Sequence, residues 1–173
     1  MTTLDLRLIK LRVGDATERE ERLELDPLTI GGQAFLFDPP CPVATVRLTR
    51  ATTGILSTLA FTATLRGPCM RCLDPATVDV RVERTEYEAA DGQGETDDEL
   101  ENPYLENDIL DVSGWARDAA LLSLPDKILC VESCAGLCSS CGCPRSEGPC
   151  GCEAPTGDSR WEKLEELRAE LTD

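Results

Sequence analysis

The sequence predicts an α+β protein: an antiparallel β-rich body, an acidic loop, and two C-terminal helices flanking a cysteine-rich knuckle. Three observations carry that expectation. Apolar and polar residues alternate with a period of two across residues 43–82, as in antiparallel strands with one wet face. Apolar residues recur at spacings of three and four after Asp111 and again after Ser159, as on amphipathic helices. Most of the 10 cysteines lie in close pairs, three of those pairs between the two helices. With 173 residues the chain has room for one ordinary domain and a small appendage. The division expected is a β-rich body over residues 1–88, an acidic mobile loop over 89–107, and a helical, cysteine-rich region over 108–173.

In chain order, Leu4, Leu6 and Leu8 alternate as a strand would, and Thr17 with Glu20 forms a capping box that could open a short helix. Val46 and Leu48 then face one way, with Arg47 and Thr49 facing the other. Leu59, Phe61, Ala63 and Leu65 alternate with Thr62, Thr64 and Arg66, and Val78, Val80 and Val82 alternate with Asp79, Arg81 and Glu83. Arg47, Arg66 and Arg81 are thereby expected on the wet face. The stretch from Ala89 to Asn107 is acidic, contains glycine and has few β-branched residues, so little apolar burial offsets its ordering entropy. Asp111 is the expected N-cap of a helix carrying Val112, Trp115, Ala119 and Leu122 and ended by Pro125. A last helix is expected from a capping box at Ser159 and Glu162, with Trp161, Leu164, Leu167 and Leu171 on its apolar face.

Composition narrows the chemistry. The chain has no histidine, which removes Ser-His-Asp and Cys-His nucleophile pairs, histidine general bases and every imidazole metal site. Neither Walker glycines nor a dinucleotide fingerprint is present, and no carboxylate pair stands out from the solvated background. The expectation is a protein that is not an enzyme. The net charge of -16 is opposite to the footprint of a simple nucleic-acid binder. It is unevenly spread: Glu86 to Asp108 holds ten acids and no base, whereas Pro39 to Thr85 holds six arginines against Asp74, Asp79 and Glu83. An RNA-facing surface is expected in the latter stretch, with Arg47, Arg66, Arg71 and Arg81 as candidate contacts. A solvated sheet face balanced by Asp79 and Glu83 is the plainer reading of the same arginines. With neither a secretory signal nor an apolar membrane span in the sequence, the chain is expected in the cytoplasm, where cysteines stay reduced and read as metal ligands.

Cys138-Ser-Ser-Cys141 and Cys150-Gly-Cys152 make a self-contained four-thiolate set, because a two-residue gap lets both thiolates turn toward one ion and Gly142 permits the tight turn. Cys69-Met-Arg-Cys72 lies at a turn between two strands, and Cys130 and Cys134 follow nearly sixty residues on. If these four share a second ion, it bolts the sheet to the C-terminal half; other partitions of the eight thiols fit the spacing equally. Four thiolates saturate a tetrahedral zinc and leave no open position, so one or two such zinc sites would hold structure rather than do chemistry. Cys41 reads as a small buried hydrophobe, and Cys143 as a spare ligand or exposed thiol.

These residues carry a resemblance. Cys69-Met-Arg-Cys72-Leu73-Asp74-Pro75 is similar to a CxRCLxP element, and Leu122-Ser-Leu124-Pro125 with Cys130 is similar to an LLxLPxxxxC segment. Cys134-Ala-Gly136-Leu137-Cys138-Ser-Ser-Cys141-Gly142 fits CxGLCxxCG, and Asp158-Ser-Arg160-Trp161 through Leu164 and Leu167 resembles a DPRWxxLxxL helix. In this order the motifs resemble the YceD family of large ribosomal RNA subunit accumulation proteins. The sequence departs from that pattern at Ser159, where the family often has proline, and at Cys143. The resemblance implies a non-catalytic ribosome-biogenesis factor supporting synthesis, processing or accumulation of large-subunit (23S) ribosomal RNA, partnered by that RNA or a pre-ribosomal particle. Two rival expectations stand beside it. The stretch from Glu86 to Asp108 could capture a basic ribosomal protein, and thiolates spaced as CxxCG also bind iron in rubredoxin-like redox proteins. In a related variant, oxidation of the thiolates ejects the metal.

Overall fold

The computed structural model describes residues 1–90, 102–148 and 150–152. In chain order its elements are β1 (Thr3–Asp5), β2 (Ala16–Arg22), β3 (Leu28–Ile30), β4 (Gln33–Asp38), β5 (Val43–Arg50), β6 (Gly54–Pro68), β7 (Pro75–Ala89), β8 (Leu105–Glu106), β9 (Ile109–Asp111) and α1 (Val112–Leu122). Single 3-10 turns cover Leu6–Leu8 and Arg145–Glu147. The chain divides into two compact units, Met1–Glu132 and Ser133–Asp173.

The period-two segments organise the first unit. β6 pairs antiparallel with β7 along its whole length, from Gly54 opposite Ala89 to Pro68 opposite Pro75. Its other edge is shared: β5 pairs with Ile55–Ala60 and β4 with Thr64–Arg66. β2 extends the sheet beyond β5, and β3 extends it beyond β4. This register puts Val46 beside Leu59, Phe61 beside Val82 and Ala63 beside Val80 on one face, where all six are buried. Full burial of such side chains contributes roughly 1.5–3 kcal/mol each for the larger ones. Gly67 belongs to this face for a steric reason: a Cβ there would run into the ring of Phe35, itself fully buried.

A smaller sheet, ordered β1, β9, β8, leads into α1. Asp111 caps the helix, its Oδ1 accepting the Gly114 N–H at 2.9 Å. Val112, Trp115, Ala116, Ala119 and Ala120 are buried, and the helix packs against β7 and β1. Trp115 stacks on Tyr104 with centroids 6.0 Å apart. Leu122, expected on the apolar stripe, is instead 74% exposed in the last turn, beyond the reach of the packed face.

Several expectations are corrected. The α+β class with two C-terminal helices gives way to a mostly antiparallel β protein: nine strands and one α-helix lie among the described residues. The β-rich body stands. The helix expected from Ser159 lies outside the described residues. The shift toward β comes from residues 1–38, where β1, β2 and β3 lie at sheet edges, β1 and β3 are three residues long and β2 carries no apolar alternation. The capping box at Thr17 and Glu20 opens no helix; that segment is β2, with Thr17 opposite Leu48, so pairing overrides the local signal. The three-leucine alternation is a short strand that breaks into a 3-10 turn, with Asp5 accepting the Arg7 N–H at 3.0 Å. Of the acidic stretch from Ala89 to Asn107, residues 91–101 lie outside the described residues.

Candidate metal centres

The first group is built at the tip of the longest hairpin. Between β6 and β7 the loop Cys69–Asp74 folds on itself: the Cys69 N–H donates to the Asp74 carbonyl at 2.7 Å and the Leu73 N–H to the Cys69 carbonyl at 3.0 Å. The Arg71 N–H donates to the Cys69 sulfur at 3.4 Å, which turns that sulfur inward. The chain leaving α1 runs beside this loop. The Met70 N–H donates to the Ile128 carbonyl at 2.9 Å, and the Ile128 N–H returns a contact to the Met70 sulfur at 3.4 Å. With Ile128 buried as an anchor, Cys130 is delivered to Cys72 at a sulfur–sulfur distance of 3.5 Å. The sulfurs of Cys69, Cys72, Cys130 and Cys134 all lie within 4.8 Å of one another.

The second group lies in the second unit and comes from one short segment. The Cys138 N–H donates to the Cys143 carbonyl and the Gly142 N–H to the Cys138 carbonyl, both at 2.8 Å, and Leu137 bridges Pro144. Gly142 has φ +73°, the left-handed region that glycine adopts without a Cβ clash, so the turn closes here. The sulfurs of Cys138, Cys141, Cys150 and Cys152 likewise lie within 4.8 Å of one another.

The thiols within each group are electrostatically unequal. For Cys69, burial opposes ionisation, but N–H donors from Arg71, Cys130 and Cys72 outweigh it and bring the thiol down to about 6. Cys138 is brought down to about 6 by the N–H groups of Cys141 and Ser140, aided by the thiol of Cys150. The others are pushed the opposite way. The Asp74 N–H favours the Cys72 thiolate, yet burial, the Asp74 carboxylate 3.2 Å away and neighbouring sulfurs raise it. Cys150 is raised chiefly by Cys138, and Cys152 is raised to about 12 by Cys141 and Cys150. Each group thus crowds sulfurs that cannot all ionise without a cation among them.

That is the donor set of a thiolate metal site. Tetrahedral metal–sulfur bonds of about 2.3 Å put ligand sulfurs roughly 3.8 Å apart, which these spacings fit. All ten cysteines are unbridged. Cys41 is exposed, against the expectation of a buried hydrophobe, and Cys143 is exposed and outside both groups. Arg47, Arg66 and Arg81 project from the outer sheet face and Arg71 from the hairpin loop, all four exposed. On that face Arg47 stands opposite Glu18, and Arg66 forms an ion pair with Asp38. Two contributors to the first group went unread in the sequence: Asp74, the carboxylate on Cys72, and Met70, which holds the segment around Ile128 in place. The only sequence signal for either was its position in or next to the Cys69–Cys72 turn.

These features define an antiparallel β protein with two cysteine groups positioned to hold metal ions. The chain belongs to the YceD family: the family model described as "Large ribosomal RNA subunit accumulation protein YceD" matches residues 58–168, which contain all eight grouped cysteines. That name ties the family to accumulation of large-subunit ribosomal RNA. Uncharacterized proteins of Mycobacterium bovis and of two Mycobacterium tuberculosis strains are each 30% identical over 168 residues, covering 95% of this chain and 80% of the relative. No solved structure matches. No helix among the described residues is long and apolar enough to cross a membrane.

Proposed function

We propose that the chain is a non-catalytic cytoplasmic factor of ribosome biogenesis, supporting synthesis, processing or accumulation of large-subunit (23S) ribosomal RNA, with two structural zinc ions holding its working shape. The observation that carries this reading is the pair of four-thiol groups inside the segment matching the family. Cys69, Cys72, Cys130 and Cys134 hold one ion, and Cys138, Cys141, Cys150 and Cys152 the other. Zinc supplies no chemistry in a saturated site; it fixes the loops that carry the ligands. A rubredoxin-like iron site uses the same donors and is the alternative that metal analysis separates. In cells lacking the protein, large-subunit RNA should fall relative to small-subunit RNA. Wild-type protein should restore the ratio and Cys138→Ser should not. Full restoration by the variant would refute the structural role of the metal.

Within this reading, Arg47, Arg66, Arg71 and Arg81 are the candidate contacts to ribosomal RNA or a pre-ribosomal particle. Their surroundings favour a second reading as well. The outer face carries Arg22, Arg47, Arg66 and Arg81 against Glu18, Glu20, Asp38, Asp79 and Glu83, so it offers phosphate no net positive field. Together with the ten acids of the Glu86–Asp108 stretch, this favours capture of a basic ribosomal protein. Cross-linking to RNA in cells, compared between wild type and an Arg47→Glu/Arg81→Glu variant, decides between them.

A further inference from the structure

The loop carrying Cys69 and Cys72 exposes apolar side chains, of which only Met70, through its sulfur contact with the Ile128 N–H, has a part in building the cysteine group. Met70 is 41% exposed and Leu73 59%, and Val131, next to Cys130 on the neighbouring segment, is 57% exposed. The Met70 and Ile128 backbones are hydrogen-bonded, so the three side chains rise from two segments that are held side by side. Leu73 is the informative one. It has φ +66°, a left-handed conformation that costs a residue with a Cβ about 1–2 kcal/mol and that glycine or asparagine adopts more readily. The turn itself accounts for the backbone, since the Leu73 N–H closes on the Cys69 carbonyl as the Gly142 N–H closes on the Cys138 carbonyl. It does not account for a large apolar side chain left 59% exposed at a position where the second group has glycine.

The surrounding charge states what kind of partner fits. The same two segments carry exposed Asp74, Asp126 and Glu132 against Arg71 and Lys127. Resting on the metal reading above, four thiolates around one divalent ion add about two further negative charges beneath the rim. The whole chain is at -16. Phosphate would meet like charge here, whereas a cationic segment with apolar side chains would satisfy both features.

We propose that the rim formed by Met70, Leu73 and Val131 is a docking surface for a basic, apolar segment of a partner protein. The apolar side chains supply the contact, and the acids around them select the sign of the partner and speed encounter. The full-length, metal-loaded protein is titrated into a fluorescent peptide of about twelve residues alternating lysine and leucine. A lysine–serine peptide of equal charge and an oligouridylate of equal length serve as comparisons. The proposal expects the lysine–leucine peptide to bind at least tenfold more tightly than either. It also expects Leu73→Asn, which suits the left-handed turn, and Val131→Ser each to weaken that binding at least fivefold with metal content unchanged. Equal binding of the lysine–serine peptide, affinity indifferent to both substitutions, or oligouridylate binding lost on the same substitutions overturns it. Protein isolated without metal that still binds the peptide through Leu73 would refute the zinc reading and leave this one standing.

Discussion

Cys72 and Cys130, separated by 58 positions in the chain, place their sulfurs 3.5 Å apart. One comes from the tip of the β6–β7 hairpin and the other from the irregular segment that follows α1, so a single ion on these sulfurs would tie the helix exit to the sheet. A cross-link over that much chain lowers the entropy of the unfolded state in the way a disulfide of similar span does, by about 4 kcal/mol.

Cys130→Ser should therefore halve the metal content, leave the Cys138 group loaded, and lower the melting temperature by about 10 °C or more. A colorimetric zinc assay on denatured protein and a thermal scan check both. Loss of all metal would show that the two groups do not load independently.

Metal affinity should rise with pH. At neutral pH, Cys69 and Cys138, brought down to about 6, are largely thiolates, whereas Cys72, Cys150 and Cys152 are raised and keep their protons. Binding must expel those protons, so each unit of pH from 6 to 8 should tighten metal binding by up to about tenfold per proton released, read by competition against a chelator after correction for the chelator's own protonation. The sign follows from the raised groups; affinity that falls over this range contradicts it.

Gly67→Ala should destabilise the first unit by about 1–3 kcal/mol, because the added methyl meets the Phe35 ring inside a packed face. Urea unfolding followed by tryptophan fluorescence measures it, and an unchanged midpoint would show that Phe35 repacks freely.

Asp111→Ala removes the acceptor for the Gly114 N–H and should cost about 0.5–2 kcal/mol. Asp111→Asn should restore most of it, since an amide oxygen accepts the same bond.

The long strands and α1 were legible because their burial is one-sided: Val46, Leu59 and Val80 face the core while Arg47 and Arg81 face water. β2 was not, since Thr17, Arg19 and Glu21 at an edge have no apolar period to read, and a local capping pattern filled the silence. The spacing of the eight cysteines pointed to the two groups of four but could not fix the long-range partnership. Cys130 meets Cys72 through the Met70–Ile128 backbone contacts, which leave no mark on the sequence. Cys41 misled because cysteine is often buried, whereas here it sits exposed in the bend between β4 and β5.

The most direct test of the account is the metal content of the full-length protein purified without added metal, measured by elemental mass spectrometry beside its visible spectrum. Two zinc ions per chain in a colourless protein is the result expected from eight thiolates arranged as Cys69, Cys72, Cys130, Cys134 and Cys138, Cys141, Cys150, Cys152. A red protein containing iron that bleaches on reduction, or a chain that keeps its fold with no metal at all, would contradict it.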